Sequence, residues 1–241
     1  MGSTLALAKA ELVRLTRNKR YFIFTLALPV MMYLLFGKQT ARVEGVDFKV
    51  FYMLSMATLG GFSGALSGNA QRIAQEKKDG WIRQLRLTSL PANAYVISKV
   101  LVSMATTVPS VVIVLALGHF YGGVQLPAWQ WPVLAVTIWF GSTIFAALAV
   151  AIGYRFAPDQ VQAVSILLYF GFAILGGLWY PFGGVLGKIG EGVPTYQVTK
   201  ICADVVEGVS VPVGLVAGLA AWFVIFTALA TVAVRSTAEN L

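Results

Sequence analysis

Long apolar runs alternate with short polar ones along this chain. A membrane-spanning helix needs about 17–25 mostly apolar residues. Six stretches meet that length: Tyr21–Gly37, Val50–Ala70, Tyr95–Phe120, Trp131–Tyr154, Val161–Trp179 and Val211–Val234. Pro29 and Pro109 fall inside the first and third. They would break exposed soluble helices, but membrane helices tolerate them where neighbours satisfy the freed carbonyls. The first run continues as Lys38-Gln39-Thr40 with no small-residue cleavage pattern, so it reads as a retained span, not a signal peptide. The expected fold is an all-α polytopic membrane protein of six transmembrane helices, forming a single domain over 1–241.

Composition agrees with lipid as the solvent. Of the 241 residues, 58% are hydrophobic and only 12% charged, against about 25% charged in soluble domains. The net charge of +8 has two readings, nucleic acid or membrane surface. The basic residues cluster at the ends of apolar runs, which makes the charge a topology signal and predicts no nucleic-acid partner. Twelve of the 18 Lys and Arg fall before span one, between spans two and three, between spans four and five, or after span six, and Lys99 joins that side from the first turns of span three. The other five are Lys38, Arg42, Lys49, Lys188 and Lys200. The positive-inside rule then places both termini in the cytoplasm of a multi-pass inner-membrane protein. Trp129, Trp131, Trp179 and Tyr180 sit at expected outer boundaries, as an aromatic belt does.

Several segments carry more than topology. Residues 3–20 place Leu5, Ala8, Leu12 and Leu15 at helical spacing, with most basic residues elsewhere on the wheel. This predicts an amphipathic helix in the cytoplasmic interface, either an anchor for span one or a lever acting on it. Residues 71–94 form the one sizeable cytoplasmic loop. Trp81, Ile82 and Leu85 share a helical face there, with Arg83 and Arg86 on another. Such a helix suits docking to a protein partner, and a loop resting on headgroups is the plainer alternative. Gly60, Gly64 and Gly68 make a small-residue row on span two. The row permits close helix packing within one subunit, or a face that slides against a neighbour.

What is missing narrows the chemistry. Gly37-Lys38 and Gly187-Lys188 lack the rest of a phosphate-binding loop. Cys202 and His119 are each the single residue of their type, so no disulfide or thiolate cluster is expected, and no metal site. No charged residue falls mid-span, which argues against an ion-coupled transporter. No carboxylate pair or Ser/His pair suggests an intramembrane enzyme. No catalytic residues and no cofactor bound by this chain are expected.

Two motifs resemble those of type-2 ABC exporter permeases. Glu76-Lys77-Lys78-Asp79-Gly80, Leu85 and Thr88-Ser89-Leu90-Pro91 resemble that family's E-R-E-x-G-T … L … T-P-L segment. Lys78, Trp81 and Ser89 depart from it. Gly176-Gly177-Leu178-Trp179-Tyr180-Pro181 and Val193-Pro194-Thr195-Tyr196 resemble its G-G-L-W-F-P … L-P-T-Y-H segment, with Gln197 where His is common. The resemblance implies a coupling helix between spans two and three that docks on a separate ATPase subunit. Glu76, Gly80, Trp81, Ile82, Leu85 and Thr88 are the coupling residues so implied. It also implies re-entrant or interfacial helices within 180–210, between spans five and six. The implied assembly has two ATPase subunits carrying ATP and Mg, and a second permease copy or a homologue. Spans one, two and five would repack to alternate access. A pathway free of charge suits a hydrophobic or amphipathic cargo such as a drug, antibiotic or lipid-like molecule. Ser55, Thr58, Phe62, Ser165, Tyr169 and Phe172 are candidates to line it. The alternative is a non-transporting anchor or sensor subunit that recruits a cytoplasmic partner.

Overall fold

The computed structural model describes residues 7–13, 19–39, 42–43, 45–81, 84 and 94–239. Residues 7–13 are helical. Then follow α1 (Lys19–Phe36), a two-stranded antiparallel hairpin of β1 (Arg42–Val43) and β2 (Val46–Asp47), and α2 (Phe48–Lys78). The rest is helical: α3 (Ala94–Phe120), α4 (Gln130–Arg155), α5 (Pro158–Leu175), α6 (Gly184–Glu191), α7 (Pro194–Glu207) and α8 (Val213–Glu239). Among the described residues, five helices, α2, α3, α4, α5 and α8, are long and apolar enough to cross a bilayer, and Thr25–Phe36 is the described apolar part of α1.

The bundle is built around α2, which packs against α1, α3, α4, α5 and α7. Its most apolar window is 89% buried, yet has a mean hydropathy of only 1.3; that of α8 is 2.3 and only 11% buried. Lipid solvates apolar side chains as well as a protein core does, so small and weakly polar residues gain most from the interior. Gly60, Gly61, Ser55 and Thr58 are all buried on α2. A Cβ at Gly60 would sit 2.1 Å from Ser110 Oγ of α3 and 3.2 Å from Pro29 Cγ of α1. At Gly61 it would sit 2.4 Å from Ser142 Oγ of α4. Those glycines let three neighbouring helices reach the α2 backbone.

A polar contact ties α3 to α4 near Pro109. The Met104 carbonyl accepts hydrogen bonds from Thr107 Oγ1 at 2.9 Å and Trp139 Nε1 of α4 at 2.7 Å. The turn between α4 and α5 is held from α2. Gln71 Nε2 donates to the Pro158 carbonyl at 3.1 Å, and Lys77 Nζ donates to the carbonyls of Tyr154 and Phe156. A cation on the last carbonyls of a helix also opposes its dipole.

The expected span limits agree with the helices to within a few residues, with two exceptions. Gln71–Lys78, expected in a loop, continues α2 without a break. The fifth span stops at Leu175, because Gly176 and Gly177 end the helix before Trp179. Two helices, α6 and α7, occupy the 180–210 segment. The two halves of the second motif meet there. Thr195 Oγ1 at the start of α7 donates to the Phe172 carbonyl of α5 at 2.7 Å. A side chain at Gly176 would collide with that hydroxyl at 2.0 Å.

Candidate coupling site

At the far end of α2, helix geometry brings three segments together on one buried cation. Ala8 and Glu11 are three residues apart in the N-terminal helical segment, and so share a face. Lys99 and Val102 are likewise three apart on α3. Ala8 packs on Val102, and Glu11 pairs with Lys99, so the two segments meet in antiparallel order. The Lys99 side chain is 1% exposed. Its ammonium lies 2.9 Å from Glu11 Oε1, and 2.9 and 2.7 Å from Glu76 Oε1 and Oε2. Tyr95 Oη donates to Glu76 Oε2 at 2.6 Å. Asn69 Nδ2 donates to the Lys99 carbonyl at 3.5 Å.

The two carboxylates are held unequally. Glu76 accepts aligned hydrogen bonds from Lys99 and Tyr95. Glu11 is held by the same ammonium at 2.9 Å, with a weaker attraction to Arg72. Burial raises the Glu11 carboxyl above its ordinary value of 4.5, and the attraction of Lys99 only partly offsets this. A buried cation is stable only with its partners in place. Glu76 is held by two donors, Lys99 and Tyr95, and Glu11 by Lys99.

This cluster stands at the root of the 71–94 segment. Beyond Glu76, α2 ends at Asp79, whose Oδ1 accepts from Gln75 Nε2 at 2.9 Å. Gly80 follows with φ +74°, the left-handed conformation that favours glycine after a helix. Trp81 is 43% exposed, an apolar surface at the start of the connecting segment. Ile82, Leu85 and Thr88 lie outside the described residues.

The pathway candidates are gathered inside a single chain. Phe62 stacks on Tyr169 at 5.2 Å between centroids and touches Phe145 at 5.0 Å, while Phe172 meets Phe145 at 5.1 Å. Trp222 and Phe226 of α8 extend this aromatic cluster. Ser55, Thr58 and Ser165 are buried, and their hydroxyls lack hydrogen-bond partners. In the glycine row, Gly60 and Gly64 are buried and Gly68 is half-buried.

Sequence reasoning singled out Glu76 but not its partners. Lys99 counted only as one more inside charge. Glu11 is the lone acid among the bases of residues 3–20, and it lies within a helical turn of Ala8 and Leu12. That phase could have marked it as inward-facing.

The geometry thus consists of an apolar bundle whose ionic knot ties an N-terminal helical segment to the segment carrying the first motif. Comparisons with known proteins agree. A family model described as ABC-2 type transporter matches residues 3–189. The chain is 26% identical over 204 residues to the Bacillus subtilis (strain 168) protein named "Putative transport permease YvfS", covering 83% of each chain. The chain belongs to the ABC-2 type transporter family, as a multi-pass transport permease.

Proposed function

We propose that the chain is the membrane subunit of an ATP-driven exporter that moves a hydrophobic or amphipathic compound out across the cytoplasmic membrane. Hydrolysis occurs on a separate ATPase subunit, present in two copies below a pair of permease chains, identical or homologous. Six spans, with α1 as the first, leave both termini in the cytoplasm. α6 and α7 are re-entrant or interfacial helices on the outer side.

The observation that carries this reading is the Lys99 knot. A push on the coupling segment at Glu76 to Thr88 reaches α2 directly, α3 through Lys99 and Tyr95, and the N-terminal helix through Glu11. One input therefore moves α2, α3 and the N-terminal helix together. The pathway residues are packed against one another in this conformation, so α5 must part from α2 to expose Phe62, Tyr169 and the three unpartnered hydroxyls. Relieving those buried hydroxyls of their desolvation favours that parting.

The test is reconstitution with the ATPase. Hydrophobic compounds should stimulate ATP hydrolysis in the complex, and Trp81→Ala with Leu85→Ala should abolish the stimulation while each subunit stays folded. If no ATPase binds, the exporter reading fails.

A further inference from the structure

The other end of α2 carries a basic groove that this transport reading leaves unused. The turn after α1, the β1–β2 hairpin, the start of α2 and the α3–α4 connection enclose an open volume of about 640 Å³. Its described lining holds three cations, Lys38, Arg42 and Lys49, and one anion, Asp47. Arg42 Nε lies 3.8 Å from Asp47, with both side chains largely exposed. Lys38 Nζ sits 3.9 Å above the centroid of the Tyr121 ring, and Lys49 Nζ donates to the Gly123 carbonyl at 3.4 Å. Those contacts orient the two ammonium groups without neutralising them. Tyr121 is itself pinned by donating to the Leu34 carbonyl at 3.1 Å.

The surroundings say where the groove opens. Phe36, Phe120 and Trp129, at the ends of α1 and α3 and the start of α4, are all exposed. Aromatic side chains at helix ends mark the membrane–water boundary. Leu35, also exposed, continues the apolar wall toward the membrane interior. Snorkelling lysines would spread outward, each to its own water. Here three of the five basic residues on the charge-poor side converge on one volume.

We propose that this groove binds the phosphate group of an anionic phospholipid from the outer leaflet. Lys38 and Lys49 act as point charges, Arg42 offers its planar fork, and the acyl chains lie against Phe36 and Phe120. A free anion would use the cations alone and leave that apolar wall idle. Bound lipid would join the outer ends of α1, α2 and α3. The proposal rests on the outward placement of this end.

The experiment uses the full chain in uncharged detergent and follows its thermal denaturation. Phosphatidylglycerol should raise the midpoint, while phosphatidylcholine and inorganic phosphate at equal concentration should not. Removing a cation near an anionic headgroup weakens binding about fivefold, so Lys38→Gln, Arg42→Gln and Lys49→Gln together should shift the lipid titration at least tenfold. If that variant does not fold, Lys49→Gln alone should give the fivefold shift. An unchanged titration, or equal stabilisation by phosphatidylcholine, overturns the proposal; equal stabilisation by inorganic phosphate makes it a free-anion site and overturns the lipid assignment. The topology is checked separately. Lys38→Cys should react with a membrane-impermeant maleimide on intact cells, against a silent background because Cys202 is fully buried. Labelling only in inverted vesicles would reverse the orientation, place the groove on the inner leaflet and overturn the outer-leaflet assignment, whatever the lipid titration shows.

Discussion

Lys99 Nζ lies 2.7 Å from Glu76 Oε2, and this pair joins the end of α2 to the start of α3 at the base of the proposed coupling segment. The last turns of α2 and the first turns of α3 are thereby fixed to each other, so the intervening residues are presented from a closed base. Removing one partner of a buried ion pair leaves an uncompensated charge and costs about 3–5 kcal/mol. Lys99→Met should destabilise by that order, because two carboxylates then face each other without their cation. Adding Glu76→Gln should recover part of the loss. Thermal denaturation of the four proteins of this cycle gives the coupling energy, and simple additivity would mean that the pair does not act as a unit.

Glu11 makes the N-terminal contact sensitive to pH. Its carboxyl is raised above 4.5 in the docked state, chiefly by burial. A raised acid takes up a proton on docking, so docking strengthens as pH falls through the raised value toward 4.5 and is flat below it. Above the raised value the contact is at its weakest. A nitroxide on the exposed position Lys9→Cys should become less mobile as pH is lowered from 7.5 to 5. Glu11→Gln should remove that dependence. Greater mobility at lower pH would contradict the sign.

The helix glycines differ sharply in what they tolerate. Gly60→Ala and Gly61→Ala place a methyl group against Ser110 and Ser142, and should each cost about 1–3 kcal/mol through overpacking. Gly171 and Gly214 have open space where a Cβ would go, and substitution there should be near neutral. Melting temperatures of the four alanine variants test this, and equal losses at all four sites would refute the packing role. Gly80 has the space too, but its positive φ should make Gly80→Asn better tolerated than Gly80→Ala.

Buried hydroxyls without partners have an unusual expected signature. Ser55→Ala and Thr58→Val remove desolvated polar groups and should leave stability unchanged or slightly higher, by about 1 kcal/mol. If these residues line the pathway, the same variants should alter which compounds stimulate the partner ATPase. Phe62→Ala should instead cost about 3–5 kcal/mol, since it empties the centre of the aromatic cluster. A Ser55→Ala protein that is much less stable would mean that its hydroxyl has a partner in the working state.

Hydropathy read the helices well because bilayer thickness sets their length whatever they pack against. It failed where that constraint ends. Gln71–Lys78 is polar enough to look like loop, yet Ile73 and Ala74 are buried, and Ile73 fills the space beside Gly153 that a Cβ would need. Hydropathy could not rank burial either, since the most enclosed helix is among the least apolar. The ionic knot escaped for a different reason. Counting basic residues assigns sides of a membrane and discards pairings, so Lys99 lost its identity in the total. The motif singled out Glu76, while the partners that hold it come from distant positions that no local spacing reveals.

Gln71 and Lys77 of α2 bind the Tyr154, Phe156 and Pro158 carbonyls at the turn between α4 and α5. The consequence is kinematic. A bundle of independent rods would leave many relative motions open. With α2 pinned to that turn and, through Lys99, to α3, few independent coordinates remain at this end. The far end of α5 is tied instead to α7, through Thr195 and the Phe172 carbonyl, so that one helix answers to different partners at its two ends.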